Sequence, residues 1–248
     1  MIELIDVAKR YAHIKNVSLR VAAGELVAIV GESGSGKTTL VRMVNRLIDP
    51  DAGTVRVDGR DVRERDPVAL RRGIGYVIQG AGLFPHRTIA SNVATVPWLL
   101  GWTEGAIRAR VDELLELVGL PPATYRARFP DELSGGQRQR AGIARALAAR
   151  PKVLLLDEPL GAVDPITRVA LQDELRRIHK ELALTTVMVT HDLIEALALA
   201  DRVAVMMGGE LRQVGTPREL LDAPADDYVA RLMSMARHQA EQLRAVSS

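Results

Sequence analysis

Short, mostly apolar runs bounded by turn residues recur along this 248-residue chain at Leu26 to Val30, Ile74 to Ile78, Val153 to Leu156, Thr186 to Val189 and Val203 to Met207. Such runs are the pattern of strands covered on both faces, because strict alternation is needed only where one face meets water. Between them lie helical periods. Leu40, Met43, Val44, Leu47 and Ile48 fall on one face of a helix, as do Leu171, Leu175, Ile178 and Leu182. Alternating strands and helices predict an α/β core built on a mainly parallel sheet.

The flanks depart from this pattern. Met1 to Asp6 reads as a strand, and Val17 to Val21 and Thr54 to Val57 alternate beside Gly24, Gly53 and Asp58-Gly59, which predicts an antiparallel sheet next to the core. From Gly80 to Pro130 the strand signal fades. Ile107, Val111, Leu114, Leu115 and Val118 share a helical face that Gly119 and Pro121-Pro122 close. The expected organisation is a single unit with two lobes: residues 1–79 and 151–248 form the α/β core with its antiparallel region, and 80–150 an inserted helical subdomain. Ala225 to Ser248 reads as a helix with a polar end.

Composition narrows the classes. With 47% apolar and 26% charged residues the chain has enough core for a globular fold, which excludes disordered and fibrous architectures. A formal charge of +2 gives no concentrated field toward nucleic acid or anionic lipid. The absence of cysteine removes disulfides and thiolate metal sites and suits a reducing compartment. The first residues lack the basic start and apolar stretch of a secretion signal. No apolar run approaches the roughly 18 residues needed to span a bilayer, since the best candidates are broken by Asp157, Glu158 or Pro97. Any membrane role therefore has to come through a partner.

The sharpest chemical signal is Gly31-Glu32-Ser33-Gly34-Ser35-Gly36-Lys37-Thr38, a phosphate-loop pattern with a buried strand before it and an amphipathic helix after it. Glycines let successive backbone N–H groups turn inward around phosphates, and the helix N-terminus adds positive partial charge. Lys37 reaches the terminal phosphates, and the Thr38 hydroxyl can ligate Mg²⁺. A second site follows Val153 to Leu156, where Asp157-Glu158 stands at the carboxyl edge of the expected sheet. There Asp157 would hold Mg²⁺ and Glu158 would orient or deprotonate a water; the alternative is a pair of solvated acids at a strand end. His191, after Thr186 to Thr190, taken singly reads as structural, and Gln79 as an ambiguous polar residue.

Leu133-Ser134-Gly135-Gly136-Gln137 opens a helix expected to run through Arg138 to Ala149, with Ser134 as cap and Pro151 as stop. Its N-terminus exposes amide donors as the phosphate loop does, so it is either an ordinary capped helix or a second anion site for a phosphate presented by another subunit.

Taken together, these residues resemble the ATPase subunits of ABC transporters over nearly the whole chain. By that resemblance Gly31 to Thr39 is the phosphate loop, Gln79 the coupling-loop glutamine, Leu133 to Gln137 the signature sequence, Val153 to Glu158 the second Walker motif, Asp164 the D-loop acid and His191 the switch histidine. It implies the ABC ATPase fold, a P-loop NTPase core with an antiparallel β region and an inserted helical subdomain. The cofactors it implies are ATP and Mg²⁺, with Ser33, Gly34, Ser35, Gly36, Lys37, Thr38 and Thr39 around the phosphates and Thr38, Gln79 and Asp157 toward the metal. Catalysis falls to Glu158, His191 and Gln79. A head-to-tail homodimer is implied, each ATP lying between one phosphate loop and the Ser134, Gly135, Gly136 and Gln137 of the other subunit, near Asp164.

Tyr11 resembles the aromatic that stacks on adenine, although its link to Val17 is several residues shorter than usual, which leaves an ordinary core or surface tyrosine as the alternative. The D-loop carries Val163 where leucine is commoner. Several stretches are similar to importers of glycine betaine, choline, carnitine or proline: Met43 to Ile48, Gly75 to Gln79, Gly82 to His86 and Asp164 to Arg168. Gly80 departs from the second glutamine usual there, and no accessory regulatory domain is expected within Ser248. Integral-membrane permease subunits, indirectly a solute-binding protein, and the cytoplasmic face of the membrane follow from this resemblance. Leu83-Phe84-Pro85 and Val96-Pro97-Trp98 could dock permease loops or be core. The competing readings are a soluble ABC-type ATPase acting on DNA or ribosomes, an importer of another solute such as an amino acid, and a nucleotide-binding regulator without hydrolysis. The first would usually show paired nucleotide domains, coiled-coil insertions or basic arms, and the last would be expected to lack Glu158 or His191; no nucleic-acid partner is expected.

Overall fold

The computed structural model describes residues 1–161 and 163–246, without the side chains of 165, 166 and 239–246. Ala162 of the expected D-loop, and Ser247 and Ser248 of the expected C-terminal helix, lie outside the described residues. Among the described residues, ten strands form two sheets. β1 (Ile2–Lys9), β2 (Ile14–Val21), β4 (Ala52–Val57) and β5 (Arg60–Asp61) make an antiparallel sheet in the order β2-β1-β4-β5. β3 (Leu26–Gly31), β6 (Ile74–Val77), β7 (Val153–Asp157), β8 (Thr185–Val189), β9 (Arg202–Met207) and β10 (Glu210–Gly215) make the second, in the order β10-β9-β3-β8-β7-β6. Its pairings are parallel except for the β9–β10 hairpin.

The helices are α1 (Lys37–Val44), α2 (Pro67–Arg72), α3 (Ile89–Val93), α4 (Thr95–Leu99), α5 (Glu104–Leu117), α6 (Pro122–Tyr125), α7 (Gly135–Leu147), α8 (Pro165–Glu181), α9 (Leu193–Leu199), α10 (Pro217–Asp222) and α11 (Asp227–Val246). Among the described residues no helix is long and apolar enough to cross a membrane.

The parallel strands are continuous apolar runs because both of their faces are covered. Ala28, Val30, Leu154, Leu156, Met188, Val203 and Val205 point into one core, which the buried residues of α3, α5, α7 and α8 complete. Val27, Ile29, Val153, Leu155, Val187, Val189, Ala204 and Met206 point into the other, between the two sheets and α1. The period of two is thus preserved, with each parity buried on its own side.

Several elements end elsewhere than their periodicity predicts. α1 stops at Val44, and Arg46 at φ 51° turns the chain, so Leu47 leaves the helical face and is 49% exposed. Leu182 is the C-cap of α8 and is exposed in the same way. The Ile74 run ends at Val77, leaving Ile78 exposed. α7 starts at Gly135, as a Ser134 cap requires, because the Ser134 hydroxyl accepts from the Gln137 N–H while Gln137 Oε1 accepts from the Ser134 N–H, a capping box that fixes the first turn; it ends at Leu147 rather than Ala149. β10 escapes a pattern search because Glu210, Arg212 and Gln213 make it a polar edge strand.

His179 of α8 is buried, its Nδ1 2.9 Å from the Thr186 hydroxyl of β8. Burial holds its pKa below the ordinary imidazole value of 6.5, with the Asp201 charge opposing. The folded protein therefore resists a proton that the unfolded chain accepts, so stability present at neutral pH is lost as pH falls below about 6.5. His179→Gln is expected to lose less melting temperature than the native chain between about pH 7.5 and 5.5, checked by thermal denaturation at both values.

Candidate nucleotide site

Because β3, β8, β7 and β6 are parallel and adjacent, the four segments that leave their carboxyl ends emerge along one edge. These are the phosphate loop, the segment Thr190-His191, the pair Asp157-Glu158, and Gln79. Residues far apart in sequence thereby face one space.

Gly31 ends β3 at φ 145°, and a Cβ there would collide with the Met206 carbonyl of β9, so only glycine lets the two strands lie this close. Gly34 and Gly36 turn the loop at φ 79° and 95°, and α1 begins at Lys37. Ser35 and Lys37 are buried in the loop. Lys37 Nζ donates to the carbonyls of Gly31 at 2.8 Å and Glu32 at 2.7 Å. Burial lowers its pKa, while the charges of Glu158, Asp157 and Glu32 act the other way. A cavity of about 530 Å³ opens over the loop, and Tyr11, Ser33, Lys37, Thr39, Glu158 and His191 stand in its wall.

The Thr38 hydroxyl donates to Asp157 Oδ1 at 2.8 Å, and Tyr76 Oη donates to Asp157 Oδ2 at 3.3 Å. Thr38, Gln79 and Asp157 line a neighbouring cavity of about 460 Å³. One carboxylate with a hydroxyl and an amide is the sparse oxygen set from which Mg²⁺ is held when phosphates and waters complete its shell; among the described residues no denser cluster of acids and histidines competes. Glu158 sits in the left-handed region at φ 49°, anchored by its N–H on the Val189 carbonyl at 2.9 Å. That conformation costs about 1–3 kcal/mol in a non-glycine residue. Glu158 Oε2 accepts from Gln79 Nε2 at 2.8 Å and lies 3.6 Å from His191 Nδ1. Gln79 and His191 thus converge on one oxygen of Glu158.

Other expected site residues stand apart. Ser134 is exposed, and Gly136 packs against Thr167, so the start of α7 lies beside the start of α8. Asp164 caps α8 by accepting from the Thr167 N–H at 3.0 Å. Neither Ser134 to Gln137 nor Asp164 lines the cavity over the phosphate loop. Tyr11 does, and at 64% exposed it is no core residue; its 3₁₀ turn (Arg10–Ala12) joins β2 through His13 alone.

Two further residues carry no sequence signature of their role. Tyr76 reads only as part of a strand. Arg145 of α7 reads as a solvated helix residue, yet it donates to the carbonyls of Gly82 at 2.6 Å and Ala81 at 2.9 Å. Those carbonyls are presented by three consecutive left-handed residues, Gly80 at 74°, Ala81 at 64° and Gly82 at 58°, which also explains glycine in place of a second glutamine at 80. Leu83 packs against the core whereas Phe84 is exposed; Pro97 is buried and Trp98 is 69% exposed, so each docking stretch divides between the two expectations.

Residues 14–161 match the model of the family described as ABC transporter. The chain belongs to the ABC transporter family. The choline transport ATP-binding protein OpuBA of Bacillus subtilis is 50% identical over 96% of the chain, and the glycine betaine/carnitine/choline transport ATP-binding protein OpuCA of the same organism is 48% identical over 96%. The chain spans 63% of the length of each of these relatives. A solved structure described as dimeric, a post-hydrolysis state of the ATP-binding cassette MJ0796 bound to ADP and Pi, superposes with a TM-score of 0.78 at 34% identity, covering 88% of this chain and 99% of that one. The α/β cassette fold expected from the sequence is therefore the fold of the family.

Proposed function

We propose that this ABC-family chain hydrolyses ATP as the motor subunit of an importer of small osmoprotectants such as glycine betaine, choline, carnitine or proline. The observation that carries the hydrolytic part is the convergence of Gln79 and His191 on one oxygen of Glu158 beside the phosphate loop. The cargo reading rests on half-identical relatives named for choline, glycine betaine and carnitine transport.

ATP would lie with its phosphates in the loop Gly31 to Thr39, Lys37 exchanging its carbonyl partners for phosphate oxygens, and its adenine against Tyr11. Thr38 and Asp157, with Gln79 beside them, would hold Mg²⁺, which would supply charge neutralisation to the phosphates. Glu158 takes the proton of the attacking water as its oxygen bonds to the γ-phosphorus and the bond to the bridging oxygen breaks, the electron pair leaving with ADP. Gln79 orients the same carboxylate, and His191 faces the terminal phosphate.

Ser134, exposed, with Gly135, Gly136 and Gln137 behind it at the start of α7 and apart from the cavity, would serve a second copy's ATP in a head-to-tail homodimer, with Asp164 at that interface. ATP then contacts both halves, and its cleavage lets them part. Residues 80–150, bearing exposed Phe84 and Trp98, carry that motion to integral-membrane permease subunits at the cytoplasmic face. A cavity of about 740 Å³ lined by Arg87, Trp98, Arg108 and Arg126 is a fitting seat for a permease loop. A solute-binding protein is reached only through the permease.

Uptake of labelled choline, glycine betaine and proline in a strain lacking this subunit tests the proposal. Loss of uptake of at least one of them, restored by the native gene and not by Glu158→Gln, is the expected result. Unchanged uptake of all three would move the cargo to another solute, and no coupling to any co-expressed permease would favour a soluble ATPase.

A further inference from the structure

Two segments meet beside the site, and apart from His191 their residues stand outside the wall of the phosphate-loop cavity. The first runs from Val163 through Asp164 into α8. Arg168, in the first turn of that helix, places its guanidinium between two partners: Nη1 lies 3.5 Å from Asp192 Oδ2, and Nη2 donates to the Val163 carbonyl at 3.2 Å. Its Nε is buried without a hydrogen-bond partner, so both interactions are made by the outer nitrogens. Asp164 begins at the next peptide unit after that carbonyl.

The second segment carries His191, and both its neighbours are fixed. Thr190 is 2% exposed, donates to Glu195 Oε2 at 2.6 Å and accepts from the Asp192 N–H at 3.0 Å. Asp192 Oδ1 caps α9 by accepting from the Glu195 N–H at 3.1 Å. Glu195 is itself 4% exposed, with its other oxygen buried and unpartnered. The backbone on either side of His191 is therefore knotted into the protein, and a link outward from the knot runs through Asp192 and Arg168 to Val163.

We propose that Arg168 and Asp192 are positioning residues that tie the switch histidine to the D-loop of the same subunit, so that a second subunit pressing on Asp164 sets His191 against Glu158. This rests on the hydrolytic, dimeric reading above. Neither side chain touches the reacting atoms. A guanidinium fork suits the task because its outer nitrogens reach a carboxylate and a carbonyl together, whereas one ammonium cannot hold both in the same geometry.

The test is a double-mutant cycle on the full chain with Arg168→Gln and Asp192→Asn, joined by Arg168→Lys. Asparagine caps a helix as aspartate does, so Asp192→Asn keeps α9 while removing the ion pair. Each single change is expected to lower kcat for ATP by roughly ten- to a hundredfold, the loss that misplacement of a catalytic group produces. KM should stay within about twofold, the double variant should be no slower than the slower single one, and lysine should fail to restore the rate. In a Glu158→Gln background, Arg168→Gln should still give an ATP-dependent dimer. Additive losses, a change in KM with kcat intact, full rate with lysine, or loss of that dimer would each overturn the proposal. If the native chain hydrolyses no ATP, the reading of function fails; if it does and the variants match it, only this clasp fails.

Discussion

Glu158→Gln is expected to cut ATP turnover by about 10²- to 10⁴-fold, the worth of a positioned general base, and to leave an ATP-bound dimer that no longer comes apart. Glutamine keeps the shape of the side chain and an oxygen able to accept from Gln79, so the 2.8 Å contact that holds position 158 survives. The left-handed backbone and its bond to Val189 are equally indifferent to the change. What is lost is the basicity of the oxygen on which Gln79 and His191 converge. If hydrolysis is what releases the two halves, removing it while sparing binding must accumulate the closed state. Phosphate release under saturating ATP, with size-exclusion chromatography in the same buffer, checks both parts. A variant that stays monomeric in saturating ATP would count against the dimeric mechanism, and one that turns over at the native rate would remove Glu158 from the chemistry.

The parts of this site written in contiguous residues are legible in the sequence alone. The phosphate loop declares itself because its glycines, lysine and threonine must follow one another within a single turn, and Asp157-Glu158 because a buried run ends there. Gln79 and His191 are ambiguous singly for a physical reason: their meaning depends on β6, β7 and β8 being neighbours, and strand order is a long-range property that no local pattern carries. Leu47 illustrates the opposite failure. Its spacing fits the helical face, but Arg46 breaks the helix first, and a left-handed arginine has no sequence signature of the kind glycine gives. Arg145, Arg168 and Tyr76 give no local signal because charged or phenolic groups on helices and strands ordinarily serve only to meet solvent; their partners, dozens of residues away in sequence, show what else they hold.

Lys37→Met should abolish tight nucleotide binding without unfolding the protein. The amine now bonds two loop carbonyls, Gly31 and Glu32, from a buried position at the start of α1, with burial opposing its charge and Glu158, Asp157 and Glu32 favouring it. A phosphate group brings negative charge to the same spot, so the ammonium is placed in advance rather than recruited. Methionine retains the length and packing of the stem but offers no donor. Removing one member of a buried, hydrogen-bonded charge pair costs about 2–5 kcal/mol, or roughly a thirtyfold to several-thousandfold rise in Kd for ATP. Thermal melting separates binding from folding. In the native chain, ATP at about 100 times Kd should stabilise by about 2.7 kcal/mol; in Lys37→Met the same ATP concentration should stabilise by no more than about 0.9 kcal/mol while the nucleotide-free melting temperature stays close to native. Glu158→Gln should do the reverse in the same experiment, keeping or enlarging the ATP-dependent rise. The two variants thereby separate the residue that holds the phosphates from the one that admits water to them, and a Lys37→Met protein with the native ATP shift would place the phosphates somewhere other than this loop.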